Sequence, residues 1–106
     1  MTKEEIFQKA IGKNGIEGQL HQLHEEIGEL MQAINKVRRL KGIGINYIMP
    51  VTKHSSIKYA LAYSNLCSEI ADVSNILEQL RYMTNPEQVD LSKERALSKL
   101  EGQLAG

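Results

Sequence analysis

Apolar residues recur in alternating steps of four and three along two long stretches of this chain. In the first they are Ile16, Leu20, Leu23, Ile27, Leu30, Ile34 and Val37; in the second, Leu66, Ile70, Val73, Leu77 and Leu80. That spacing draws one apolar seam along an α-helix and approaches a heptad repeat. It predicts long helices over about 16–40 and about 55–83. A short helix precedes them. Thr2 can cap it, Glu4 and Glu5 lie in its first turn, and Ile6, Phe7, Ala10 and Ile11 form its apolar side. Gly12, Asn14 and Gly15 interrupt it. Asn85-Pro86-Glu87 opens a last helix with a cap, a proline at the first helical position and an acid in the first turn. Leu91, Ala96, Leu97, Leu100 and Leu104 carry it on, with Asp90 and Ser92 as further possible caps. Between the long helices, Gly42, Gly44, Asn46 and Pro50 alternate with Ile43, Ile45, Tyr47, Ile48, Met49 and Val51. An extended piece, a lid and an interface loop all fit residues 42–53, and the pattern does not choose among them.

The expected fold is therefore all-α, a helical bundle in one domain over 1–106, with two long antiparallel helices. Two long and two short helices barely enclose a core. The uncovered part of both seams calls for a homo-oligomer whose four-helix core is built from two copies.

Composition narrows the function classes. The 106 residues hold 13 basic and 13 acidic side chains, so no global charge argues for a nucleic-acid polymer or an anionic membrane. No stretch approaches the ~20 apolar residues of a membrane span. Met1-Thr2-Lys3-Glu4-Glu5 does not open a signal peptide. The single cysteine, Cys67, forms no intramolecular disulfide and reads as a small core residue. These features point to a cytoplasmic protein.

The polar chemistry concentrates in two related segments. Glu26-Ile27-Gly28-Glu29-Leu30 is echoed by Glu69-Ile70-Ala71-Asp72-Val73: acid, isoleucine, small residue, acid, aliphatic. Residues three apart share a helix face at roughly 5–6 Å between Cβ atoms. Glu26 with Glu29, and Glu69 with Asp72, thus make two carboxylate pairs. Each acid stands one residue before a seam residue and flanks the seam. Packed antiparallel, the pairs can face one another, with Gly28 and Ala71 adding little bulk. Carboxylates so close repel unless they face water or hold a cation, and four hard oxygen donors suit Mg²⁺, or Mn²⁺, better than zinc.

Other chemistries lack their residues. A di-iron bundle needs Glu-x-x-His, and none of His21, His24 and His54 stands three residues after an acid. Zinc lacks its cysteines and the His-Glu-x-x-His pattern. No Walker-type loop is present. Phosphate chemistry on Mg²⁺ remains: a cation in an acidic groove receives a polyphosphate and polarises a phosphoryl oxygen. Glu25 points about 100° away from Glu26 and can reach a second metal or nothing. Lys36, Arg39, Lys53, Lys58, Arg81, Lys93 and Lys99 are available for outer phosphates.

Glu25-Glu26-x-x-Glu29 followed by Glu69-x-x-Asp72 resembles the E-E-x-x-E … E-x-x-D signature of the MazG-like, all-α nucleotide pyrophosphohydrolases. Gly15-x-x-x-Gln19-Leu20 and Leu77-x-Gln79-Leu80 extend the likeness, which covers about 12–40 and 64–82. The resemblance implies Mg²⁺-dependent hydrolysis of a nucleoside triphosphate between its α and β phosphates, giving a nucleoside monophosphate and pyrophosphate. It implies Glu26, Glu29, Glu69 and Asp72 as metal ligands. Glu25 matches the leading acid, and Glu25 and Glu26 become the candidates for activating water. Family members are dimers or dimers of dimers. Small relatives often carry Trp where Asn14 stands. Asn14 or Gln19 is then left for a base edge, Asn75 for sugar or phosphate, and Lys36 and Lys99 for phosphate. The competing expectation is a non-catalytic helical interaction module that retains the fold and the metal site.

Overall fold

The computed structural model describes residues 1–41 and 57–106. These form three helices in the order α1 (Lys3–Lys41), α2 (Ile57–Met83) and α3 (Pro86–Ala105), with no strand among the described residues. The expected stretch over 42–53 lies outside the described residues, as does the start near Ser55.

The two helices expected before residue 41 are one element with a break. Gly15 leaves helical geometry at φ 72° and ψ 171° inside α1. A side chain is strained in that region and glycine is not. The interruption is thus a single-residue kink between arms 3–14 and 16–41. Thr2 caps the first arm, its Oγ1 accepting from the Glu5 N–H at 3.1 Å. Asn85 caps α3 as expected: its side chain accepts from the Gln88 N–H at 3.0 Å, with Pro86 in the first turn and Gly106 at the end.

Contacts between α1 and α2 run in opposite order along the chain, so the two helices lie antiparallel. Ala33 and Val37 pack with Tyr59, Ala62 and Leu66 in one apolar cluster, bordered by Leu30, Ile34 and Tyr63. At the other end Phe7 meets Tyr82 at 6.5 Å between ring centroids, and Gln8 Nε2 donates to the Tyr82 hydroxyl at 2.8 Å. Lys3 pairs with Glu78 there. The kink at Gly15 lets the first arm reach this end of α2.

The register of the seam differs from the expected one. Leu23, Leu30 and Val37 on α1, and Leu66, Val73 and Leu80 on α2, face inward as expected. Their companions are the residues four before each of them: Gln19, Glu26 and Ala33, and Ala62, Glu69 and Ile76. Of the residues three before, expected to share the seam, Ile34 does border the core cluster, while Leu20 and Ile27 are exposed at 37% and 38% and Ile70 and Leu77 at 52% and 51%. Ile16 is exposed as well. A seven-residue line of aliphatics can take its second line from either flank. Ala33 and Ala62 let the two backbones approach on the chosen flank. Cys67, expected in the core, is exposed, because it follows Leu66 around the helix and leaves the seam.

α3 touches only α2 among the described residues, and none of its residues is buried. The α2–α3 corner is clamped by Arg81, whose Nε and Nη2 donate to the two Asp90 carboxylate oxygens at 2.8 and 2.6 Å. Asp90, one of the suggested caps, thus acts as an ion-pair partner. The radius of gyration is 17.3 Å, against about 13 Å for a compact chain of this length. Among the described residues, no helix is long and apolar enough to cross a membrane.

The two faces of α2 should respond differently to truncation. Leu66→Ala should cost about 2–5 kcal/mol of unfolding free energy. Ile70→Ala should cost less than about 0.5 kcal/mol at low chain concentration. Urea denaturation followed by circular dichroism checks both, and equal losses would contradict the observed register.

Candidate metal centre

The shifted register decides where the acids go. Glu26 and Glu69 sit on the inward lines of α1 and α2 and are half-buried, while Glu29, one turn on from Glu26, is exposed. One carboxylate oxygen from each of Glu26, Glu29 and Glu69 lies within 4.8 Å of the other two. The acids therefore do not flank a distant seam: Glu26 and Glu69 are seam residues, and Glu29 closes the groove from its rim. Asp72, the fourth expected ligand, is exposed and stands outside this triplet, though its charge acts on both Glu26 and Glu69.

Burial and like charge act together here. Desolvation, then the charges of Glu29, Asp72 and Glu69, hold the Glu26 carboxyl above the usual range. Glu69 is raised for the same first reason and by Glu29 and Asp72, with hydrogen bonding to Glu26 working the other way. Oε2 of each of these two glutamates is buried without a hydrogen-bond partner. An unpaired buried oxygen of this kind is costly.

This donor set fits a small hard cation. Mg²⁺ binds oxygen at about 2.1 Å in an octahedron, which puts ligand oxygens about 3 Å apart in cis and about 4.2 Å in trans. The separations within the triplet need little closure to reach that range. Glu26, Glu29 and Glu69 would hold such an ion, and Asp72 is placed to add a fourth carboxylate or a charge beside it.

The other expected site residues scatter. Glu25 is exposed and turned to His21, its Oε1 at 3.0 Å from Nε2. Asn75 is exposed one turn beyond Asp72, and Lys36 is exposed on α1 about 15 Å along the axis from Glu26. Lys99 is exposed on α3, which does not touch α1. Gln19 is fully buried on the inward line, with both amide atoms lacking a partner. Gly28 and Ala71 are exposed, and a Cβ at Gly28 would meet nothing within 4 Å, so their small size leaves no mark on the groove.

Pattern reading singled out four acids, of which the structure brings Glu26, Glu29 and Glu69 together, and it ranked the two pairs alike. The signal it lacked was the place of Ala33 and Ala62, small residues in step with Glu26 and Glu69. They mark the strip along which the helices come close. A scan against protein-family models finds no match, and neither the curated proteins nor the solved structures compared with this chain yield one.

The raised carboxyls fix a sign for pH dependence. A group whose folded pKa lies above its unfolded value binds more protons when folded. Its stabilising contribution is full below the unfolded value of about 4.5 and is lost as pH rises through the raised one. Glu26→Gln removes this loss. In chelator, its melting temperature should therefore gain on the wild type as pH rises from about 4 to 8. Thermal melts at several pH values check this, and a gap independent of pH would contradict the crowded-carboxylate account.

Proposed function

We propose that this protein is a Mg²⁺-dependent nucleoside triphosphate pyrophosphohydrolase that works in the cytoplasm as a homodimer or a dimer of dimers. It takes a nucleoside or deoxynucleoside triphosphate to the monophosphate and pyrophosphate, and house-cleaning of the nucleotide pool is the role such an activity suits. The observation that carries the reading is the meeting of Glu26, Glu29 and Glu69 from two helices, with two buried oxygens left unpartnered. The resemblance to the MazG-like pyrophosphohydrolases supplies the reaction.

In this reading Glu26, Glu29 and Glu69 hold Mg²⁺ and Asp72 completes the set. The bound ion supplies charge neutralisation to the phosphates and orients them for in-line attack. Glu26, on the inward line beside Glu29 and Glu69, is the chain's own candidate proton acceptor. It takes the proton of the attacking water, whose oxygen forms a bond to phosphorus as the bridging oxygen leaves with pyrophosphate. Glu25, paired with His21, then serves to bias the charge around the groove. The buried amide of Gln19 is the group a base edge would engage, while Asn75 and Lys36 lie on the flanks for sugar and phosphate. Lys99 reaches a phosphate only if a second copy brings it.

The oligomer has its own support. α1 and α2 run antiparallel with the same inward pattern, so helical geometry sets their outer strips on one side of the pair. Leu20 and Ile27 join Ile70 and Leu77 there, opposite the side of Glu29 and Asp72. Two such faces packed together make a four-helix core. The exposed thiol of Cys67 suits a reducing compartment.

Pyrophosphate release with Mg²⁺ across a panel of canonical and damaged nucleotides tests the activity. Glu29→Gln and Glu69→Gln should each lower the rate at least a thousandfold while keeping the helical circular-dichroism signal. Mg²⁺ should raise the wild-type melting temperature, since it binds the folded state, and should leave that of Glu69→Gln nearly unmoved. No release with any nucleotide from a folded protein that still responds to Mg²⁺ would favour the non-catalytic interaction module.

A further inference from the structure

The first turns of α1 meet α2 in an order that the main helix pair does not share. Across the pair, Glu26 meets Glu69 and Ala33 clusters with Ala62, so rising numbers on α1 meet falling numbers on α2. Carried on, that register sets residues 16–19 beside residues 76–79, and would put Lys3 beyond the end of α2. The arm before Gly15 does otherwise. Lys3 pairs with Glu78, and Phe7 and Gln8 meet Tyr82. Lys3 thus stands about 20 Å short of the place a straight helix would give it. The arm folds over this end of the pair, with Phe7 buried and Ala10 and Ile11 partly so.

At the level it folds over lies a buried polar group. Gln19 is 0% exposed, and neither its Oε1 nor its Nε2 has a hydrogen-bond partner. Ile76, opposite it in this register, is 3% exposed, and Oε1 of Gln79, one turn on, is buried and unpartnered too. A buried amide without partners is costly, and hydration relieves it. The closed arm is therefore disfavoured at the place it covers. Little holds it there: the Phe7–Tyr82 ring contact, one neutral hydrogen bond from Gln8, and an ion pair between exposed side chains. Gly15 already stands outside helical geometry, and a Cβ built on it would meet nothing within 4 Å, so the arm has a hinge with room to turn. Among the described residues α3 does not touch α1, which leaves the arm as the segment placed to uncover this level.

We propose that arm 3–14 is a hinged lid over the Gln19 amide, and that the base of the substrate reaches this amide only while the lid is open. The inference deepens the proposed function and takes its ligand from that reading, while the lid itself does not depend on it. The amide sets the ligand's chemistry. Gln19 offers a donor and an acceptor side by side, which match a planar edge carrying an acceptor beside a donor, as a nucleobase does. Gln19 stands about 10 Å along α1 from Glu26, so one nucleotide can meet both the carboxylates and the amide. An edge bonded to Gln19 relieves the cost of the closed state and so holds the lid shut. Opening also gives a fully buried side chain its access to a ligand.

Thiol labelling in a Cys67→Ser background tests this. Ile76→Cys reports from under the lid, and Ala62→Cys, in the main apolar cluster, reports opening of the helix pair as a whole. Local opening exposes one region without the other. Without metal or nucleotide, we expect Ile76→Cys to be labelled at least tenfold faster than Ala62→Cys. Tyr82→Phe, which removes the hydroxyl that accepts from Gln8, combined with Lys3→Gln, should speed the first reaction at least threefold and leave the second unchanged. Equal rates overturn the lid, and so do arm substitutions that change both rates alike or neither. Gln19→Cys repeats the readout from α1 should Ile76→Cys not fold. A nucleotide from which the protein releases pyrophosphate should slow the labelling of Ile76→Cys at least fivefold, and should not slow it once Gln19→Leu is added. A nucleotide that is turned over without slowing the label places its base elsewhere and overturns the proposal. The labelling ratios need no nucleotide, so a protein that opens its arm and hydrolyses nothing would sink the enzyme reading and leave the lid standing.

Discussion

The structure depends on two glutamates being packed where a hydrophobic pair belongs. Glu26 and Glu69 occupy the inward line of an antiparallel helix pair, in step with Ala33, Val37, Ala62 and Leu66. A carboxylate in that place loses water and meets like charge across the seam, so the pair of helices costs free energy at one level and regains it at the next. The apolar cluster near Tyr59 and the aromatic contact of Phe7 with Tyr82 hold the two ends. The acid level between them is kept close by packing on either side. Groups held together against their own repulsion are poised to release strain to a proton or a cation, and that is what makes the cluster a candidate centre.

The same choice of register explains the outer surface. Turning the acids inward rotates Leu20, Ile27, Ile70 and Leu77 out of the seam. The described residues then show several large apolar side chains outside, and α3 adds its own stripe. Acidic groove and apolar face are two consequences of one rotation of the helices. They also fall on opposite sides of the pair, so covering the apolar face with another chain need not block the carboxylates.

Much of the architecture was legible from residue order, because helix signals are local. Steps of four and three, Thr2 and Asn85 as caps, Pro86 in the first turn and the glycine at 15 each act within a turn or two of the backbone. The four acids were legible for the same reason, since an i,i+3 pair is a property of one helix. The break over Gly12, Asn14 and Gly15 was expected to separate two helices and is a kink at Gly15, because one residue at positive φ redirects a helix without ending it. Cys67 was expected inside from its apolar helical context and the burial habit of cysteine, and neither carries a direction around the helix.

What the sequence by itself determined, then, is the set of helices, their caps and the presence of two carboxylate pairs. Which flank of each aliphatic line faces the partner helix was decided only by tertiary packing. Leu20 and Gln19, or Ile27 and Glu26, are neighbours in sequence and both border the line of Leu23 and Leu30. Hydrophobicity alone favours the leucine and the isoleucine. Packing of Ala33 and Ala62 in the apolar cluster favours the other flank over most of the pair, and only Ile34 of the first flank borders that cluster. That long-range constraint buried Gln19, gathered Glu26, Glu29 and Glu69, and left Asp72 and Glu25 at a distance from the triplet.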